Sequence, residues 1–367
     1  MKKKSDKLSI TFILPFAGTA GGTRVVAQYA DRLQKRGHTV VVMSTPRKDP
    51  GMKTKLKNAI KGRGWHKPTG PSHLDHVKVE HRVLDCWRPM TDADVPDADV
   101  VIATWWETAE WVADLSPSKG RKFYFIQHDE STFAEPHDRI DATWQLPMKK
   151  ITIAQWLVDL ARLRGDEDVA LVPNAVDLDQ FHAPPRGKQK NLTVGLMYSQ
   201  ASFKGTDIAI EAFEMASQNI PRIEMVAFGT QDPDRKLLLP TDTKYHKNPP
   251  QKQIKEIYAS CDAWLFSSRT EGFGLPILEA MACRTPVIAT PSGAAPELVG
   301  QGGGILVKPE DPLDMGRAIE RIGLMKEPQW RELSTKAWET ARKYTWEEAT
   351  TLFEKALFNT HSSRESR

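Results

Sequence analysis

Two carboxylates, Glu271 and Glu279, bracket the stretch Gly272-Phe273-Gly274-Leu275-Pro276, with seven residues between them. Glycines let backbone N–H groups come close to a ligand, and a helix N-terminus favours anions. Carboxylates are acceptors for hydroxyl donors, and such ionised hydrogen bonds are roughly twice as strong as neutral ones. The pattern fits a ligand that carries phosphates on one side and sugar hydroxyls on the other. Further pieces of the same chemistry lie upstream. Phe203-Lys204-Gly205 offers a cation beside a glycine, Gly21-Gly22-Thr23-Arg24 a glycine-rich turn with a cation, and His128-Asp129-Glu130 a cluster of titratable groups.

Each piece needs an element to hold it. The apolar run Asp262-Ala263-Trp264-Leu265-Phe266 reads as a buried strand, and the run from about Pro276 reads as a helix, since proline suits a first helical turn. Glu271 then lies in a strand-to-helix loop and Glu279 about one turn inside the helix. Comparable strands are expected at 10–14, 39–43, 100–104, 123–126, 151–153 and 170–172. A second series is expected at 193–197, 224–228, 263–266, 287–289 and 305–307. Val- and Ile-rich runs separated by amphipathic helices imply parallel sheets covered on both faces, and two such series imply two Rossmann-like domains. The seam falls at Pro173–Lys190, where proline, glycine and charge accumulate. Thr345 is placed to cap a last helix opened by Trp346.

At 367 residues the chain is long enough for two cores. A formal charge of +4 is too small to imply nucleic acid. No run of about twenty apolar residues is present, so a membrane-spanning helix is not expected. The apolar stretch from Leu8 to Phe16 reads as a first strand, not a signal peptide. Three scattered cysteines, Cys86, Cys261 and Cys283, fit a reducing cytoplasm better than a disulfide framework. Residues 47–67 are strongly basic, with Arg47, Lys48, Lys53, Lys55, Lys57, Lys61, Arg63 and Lys67 opposed only by Asp49. They read either as a solvated insertion or as a surface for anionic lipid headgroups or an acidic acceptor.

The Glu271–Glu279 segment resembles the E-x7-E signature of retaining nucleotide-sugar glycosyltransferases of the GT-B fold, family four in particular. Pro173-Asn174-Ala175-Val176-Asp177 with Phe181 resembles that family's interdomain crossing, with Ala175 in place of a glycine. The segment around His128 is similar to a subgroup that includes rhamnosyltransferases. The resemblance covers most of the chain and is strongest from Val194 to Val307.

It implies an α/β protein of two Rossmann-like domains facing each other across a cleft. They are an acceptor-binding domain at 1–173, a linker at 174–190, a nucleotide-sugar-binding domain at 191–344, and a returning helix with a polar tail at 345–367. It implies a hexosyltransferase that moves a sugar from a nucleotide-sugar to a glycan or lipid-linked acceptor in cell-surface polysaccharide synthesis. The place would be the cytoplasm or the inner face of the membrane. A nucleotide-sugar 2-epimerase-like isomerase and a non-catalytic nucleotide-sugar-binding scaffold remain as alternatives.

The resemblance also carries residue roles. Glu271 and His128 would fix the donor sugar and Lys204 would stabilise the leaving diphosphate. Backbone amides around Phe273, Gly274 and Leu275 would contact sugar and diphosphate, and Glu279 would accept from the ribose hydroxyls. Gly21, Gly22 and Arg24 would approach the diphosphate. The family's usual arginine five residues before the lysine is replaced by Ser199, so Arg269 or Arg24 would supply that charge, or Ser199 would bind phosphate neutrally. Asp129 and Glu130 would face the acceptor. Trp105 and Trp106 would either stack on an acceptor sugar or cap the core. No metal or other cofactor is expected. The pairs Asp92/Asp94, Asp97/Asp99 and Asp177/Asp179 have the spacing of a metal motif but read as loop and strand-entry residues.

Overall fold

Strands that read as continuous apolar runs must be covered on both faces, and helical crossovers between parallel strands provide that cover. The computed structural model describes residues 7–48, 51 and 70–359. Within them the chain forms two compact units. One takes the described residues up to 153, those at 157–172 and those from 350 on, and the other takes Ala154–Trp156 and Pro173–Ala349. The basic residues Lys53, Lys55, Lys57, Lys61, Arg63 and Lys67, expected as a membrane or acceptor surface, lie outside the described residues, as does Asp49.

The first unit contains β1 (Ser9–Leu14), β2 (Thr39–Ser44), β3 (Glu80–Val83), β4 (Val100–Ala103), β5 (Arg121–Ile126), β6 (Lys149–Thr152) and β7 (Val169–Leu171). Their order is β3-β2-β1-β4-β5-β6-β7 and every pairing is parallel. The order reverses between β1 and β4, so the crossovers on the two sides leave in opposite directions and open a crevice at the strand C-termini. The helix Gly21–Lys35 follows β1 and buries Val25, Val26, Tyr29, Ala30 and Leu33 on one face. Phe353, on the last helix Trp346–Phe358, stacks on Tyr29 at 4.4 Å between ring centroids and lies edge-on to Phe125 at 5.2 Å. That helix is capped by Thr345, whose hydroxyl accepts from the Glu348 N–H at 3.2 Å.

The second unit contains β8 (Thr193–Met197), β9 (Glu224–Gly229), β10 (Lys244–Lys247), β11 (Ala263–Phe266), β12 (Val287–Ala289) and β13 (Gly304–Leu306), in the order β10-β9-β8-β11-β12-β13. All pairings are again parallel, and the order reverses between β8 and β11. Its core joins Val194, Leu196, Ala263 and Leu265 from the strands to Ile208, Ala212, Ile319 and Trp330 from the helices. The Pro173–Lys190 stretch is packed into this unit. Phe181 is fully buried, the Val176 N–H donates to the Tyr344 carbonyl at 3.0 Å, and the Arg186 guanidinium lies 4.7 Å over Trp330.

Two strands were not anticipated, β3 (Glu-His-Arg-Val) and β10 (Lys-Tyr-His-Lys). Both are edge strands with little buried apolar surface, so neither carries the apolar run that marks the interior strands.

Candidate functional site

In the second unit, the sheet reversal brings the loop after β8 next to the loop after β11. The β8 loop ends in a short 3-10 turn, Ser202–Lys204, followed by Gly205 in the left-handed region at φ 62. A Cβ on Gly205 would stand 2.0 Å from the Ser267 carbonyl oxygen, so only glycine allows the two loops to touch. The Ser267 hydroxyl donates to the Lys204 carbonyl at 3.2 Å, and the Arg269 N–H donates to the Phe203 carbonyl at 2.8 Å. These bonds draw Lys204 Nζ to 2.5 Å from Glu271 Oε2, both side chains about one-fifth exposed (21% and 18%).

The helix Leu275–Ala282 starts immediately after this loop. Gly274 caps it at φ 93, with Pro276 in the first turn. Its first N–H groups have no partner inside the helix and carry the positive end of the helix dipole. Phe273 is buried, and its carbonyl accepts from the Ala294 N–H at 2.9 Å, which ties in the loop after β12. Glu279 is 7% exposed and accepts from the Tyr258 hydroxyl at 2.9 Å. A shallow crevice runs between the two loops, lined by Lys204, Phe266, Ser267, Ser268 and Pro276 among others. A cation and unpaired helix amides suit an anion, and the two carboxylates suit hydroxyl donors.

Ser199 is half-buried. Its Oγ accepts from the Ala201 N–H at 3.2 Å, and its backbone exchanges bonds with the Thr206 hydroxyl. Arg269 is engaged within the unit. Its guanidinium is bound to Asp207 at 2.9 and 2.7 Å, to Glu310 at 2.7 and 3.0 Å, and to the Ser202 carbonyl. The bond from Arg269 holds the Asp207 carboxyl below its ordinary pKa. Two carboxylates therefore already neutralise this cation.

Sequence reading missed Trp156. Its Nε1–H donates to the Gly272 carbonyl at 2.9 Å and so holds the Glu271–Gly274 loop. A lone tryptophan after a strand gives no signal of such a bond to a residue 116 positions away.

In the first unit, Gly21 and Gly22 open the helix that follows β1, so their amides are among its unpaired first N–H groups. Gln127, just beyond β5, donates to the Gly22 carbonyl at 3.3 Å. Arg24 lies in the first turn of that helix. His73, also missed by sequence reading, contacts the Thr19 carbonyl through Nε2 at 3.1 Å. Burial holds the His73 pKa below its ordinary value, and the charge of Arg24 adds to this. His128 follows Gln127 and is half-buried. Its Nδ1–H donates to the Asp129 carbonyl at 3.0 Å.

Three of the four residues expected at the acceptor are turned to internal bonding. Trp106 is buried, its N–H donates to Glu130 at 2.7 Å, and the Arg139 guanidinium lies 5.0 Å over its ring. Glu130 is buried too and also accepts from the Tyr124 hydroxyl at 3.2 Å; burial pushes its pKa well above the usual carboxylate range. Asp129 accepts from the Ser131 hydroxyl at 2.8 Å and faces Arg164 at 3.4 Å. Trp106 and Glu130 share one physical reason: the helix Trp106–Asp114 needs an acceptor at its N-terminus, and Glu130 supplies it, while Asp129 is taken up by Ser131 and Arg164. Trp105 alone stays half-exposed, with its ring 6.0 Å from that of exposed Phe133.

The paired aspartates are engaged locally. Asp94 binds Arg88, Asp92 the Ser116 N–H, Asp97 Lys119, Asp99 Ser9, and Asp177 the backbone of Asp179 and Gln180. Among the described residues no group of three or more His, Cys, Asp or Glu side chains is placed to hold a metal ion. None of the helices there is long and apolar enough to cross a membrane.

The family described as "Glycosyl transferases group 1" matches residues 179–344. O-antigen chain mannosyltransferase B of Escherichia coli is 35% identical over 104 residues, 28% of this chain and 26% of that protein. The chain therefore spans about a quarter of that relative's length. D-inositol 3-phosphate glycosyltransferase of Actinosynnema mirum is 30% identical over 393 residues, 92% of this chain and 91% of that protein. Among solved structures, Anabaena HepE in complex with UDP superposes with a TM-score of 0.72 at 18% identity, covering 95% of this chain and 99% of that one. The structural likeness gives the GT-B fold with its two Rossmann-like domains, and with the near full-length relative it shows that the chain belongs to the glycosyl transferases group 1 family.

Proposed function

We propose that the protein is a retaining, metal-independent glycosyltransferase that moves a hexose from a nucleotide-sugar to a hydroxyl of a glycan or lipid-linked acceptor, in cell-surface polysaccharide synthesis. The observation that carries this reading is the pairing of Lys204 with Glu271 at the reversal of the second sheet, beside a helix N-terminus and one turn from Glu279. Residues 191–344 would hold the nucleotide-sugar, and residues 1–173 the acceptor. A neighbour in fold, HepE, was solved with UDP and with UDP-glucose, which supports a nucleotide-sugar as the donor class.

In the proposed reaction the bond from the anomeric carbon to the diphosphate oxygen breaks first, through an oxocarbenium-like transition state. The acceptor oxygen attacks from the same face, and its proton passes to the departing phosphate. Lys204 and the amides at Gly274 and Leu275 offset the charge that grows on that phosphate. Glu271 and His128 hold the sugar hydroxyls, and Glu279 the ribose. Gly21, Gly22 and Arg24 would complete the diphosphate contacts. No cofactor enters this scheme. The basic stretch at 47–67 supports, by its charge alone, peripheral contact with an anionic membrane from the cytoplasmic side.

The test is incubation of the purified protein with UDP-, GDP- and dTDP-sugars in the presence of a chelator, with and without oligosaccharide acceptors. Release of nucleoside diphosphate with a product of retained anomeric configuration supports the proposal. Conversion of a UDP-sugar without acceptor would favour an epimerase, and binding without turnover a scaffold.

A further inference from the structure

Tyr258 lies on the helix Gln251–Ala259, which leads into β11, and is fully buried. Its ring is fixed by three aromatic neighbours: Trp264 at 4.4 Å, Phe228 at 5.8 Å and Phe181 at 6.1 Å, all packed edge-on. Its carbonyl accepts from the Thr285 hydroxyl at 2.7 Å, so backbone and ring are both held. The one polar group of the side chain donates to Glu279 Oε2 at 2.9 Å.

A carboxylate has about four acceptor sites on its two oxygens, more than a single hydroxyl donor fills. That donor fixes the plane of the carboxylate. A side chain locked by packing and by a second hydrogen bond presents its acceptor capacity in one direction, which is what two adjacent hydroxyls require. A site built to bond a hydroxyl also rejects the analogue that lacks it, because the buried acceptor is left unpaired.

We infer that Tyr258 is a positioning residue that aims Glu279 at the paired 2′- and 3′-hydroxyls of a ribose, and so restricts the donor to ribonucleoside-diphosphate sugars against 2′-deoxy ones. This rests on Glu279 being the ribose acceptor of the proposed function. It weighs against a dTDP-sugar donor, which lacks the 2′-hydroxyl.

The experiment is calorimetric titration of wild type, Tyr258→Phe, Glu279→Gln and the double variant with UDP and 2′-deoxy-UDP, and with GDP and 2′-deoxy-GDP. Wild type is expected to prefer the ribonucleotide by about tenfold or more. In Tyr258→Phe that preference falls by roughly three- to tenfold, with the affinity for the deoxynucleotide kept within about twofold. The double variant resembles Glu279→Gln, because the two residues act through one contact. An unchanged preference in Tyr258→Phe, or equal weakening of both nucleotides, would overturn the inference and leave Tyr258 a structural partner. A preference that survives Glu279→Gln overturns the assignment of Glu279 beneath it, as does a wild type that binds none of the four.

Discussion

Lys204 and Glu271 form an ion pair of 2.5 Å across two loops that are 67 residues apart in sequence. The pair exists because neighbouring parallel strands end side by side at the sheet reversal and because Gly205 lets the loops meet. It stores a cation and a carboxylate at one point, each held by the other. A diphosphate arriving there would share the ammonium with Glu271. The account predicts that Lys204→Ala lowers kcat by about a hundredfold or more, as loss of a preorganised charge does. It also leaves Glu271 without its cation, so nucleotide binding weakens too. The double change Lys204→Ala with Glu271→Ala should then bind nucleoside diphosphate better than Lys204→Ala alone. Calorimetry on the three variants checks this; strictly additive losses would speak against the coupling.

Glu271→Ala alone is expected to reduce transfer much more than it reduces nucleotide binding, since the proposed function gives it the sugar as its ligand. Steady-state kinetics beside UDP and GDP titrations separate the two. Equal loss in both would move Glu271 from the sugar to the nucleotide.

Glu279→Ala should act in the opposite sense, weakening nucleotide binding by roughly tenfold. It also strips the buried Tyr258 hydroxyl of its acceptor, so the variant should lose about 1–3 kcal/mol of stability, read from urea midpoints.

Glu130 gives a pH prediction. Burial raises its pKa above the ordinary 4.5, so the folded protein holds this proton more tightly than the unfolded chain. The sign follows: between 4.5 and the raised folded value, stability from this group falls as pH increases. Gln does not titrate and keeps an acceptor for the Trp106 N–H. Glu130→Gln should therefore be at least as stable as wild type at neutral pH, with its relative advantage disappearing below pH about 4.5. Thermal melts across pH test this. A variant that is weakest at neutral pH would show that the ionised carboxylate is what the fold requires.

The interior of the fold was legible because burial on both sheet faces demands apolar strands, as in Val194–Met197 and Ala263–Phe266. Strands β3 and β10 were not, because an edge strand satisfies half its backbone with one neighbour and needs little apolar cover. The loop around Glu271 was legible from glycine and proline chemistry next to a strand. The commitment of Arg269 was not, because Asp207 and Glu310 lie 62 and 41 residues away and meet it only in the folded sheet. The internal role of Glu130, expected at the acceptor, was hidden for the same reason, since nothing local announces that it caps the helix opened by Trp106.

The central claim is that the second unit holds a nucleotide-sugar with Lys204, Glu271 and Glu279 and needs no metal. The most direct test is a thermal-shift screen of wild type and Glu279→Ala against UDP-, GDP-, dTDP- and ADP-sugars, with and without chelator. A rise in Tm is expected for one nucleotide class, unchanged by chelator and markedly smaller in Glu279→Ala. No shift with any class, or a shift that is undiminished in Glu279→Ala or vanishes with chelator, would contradict it.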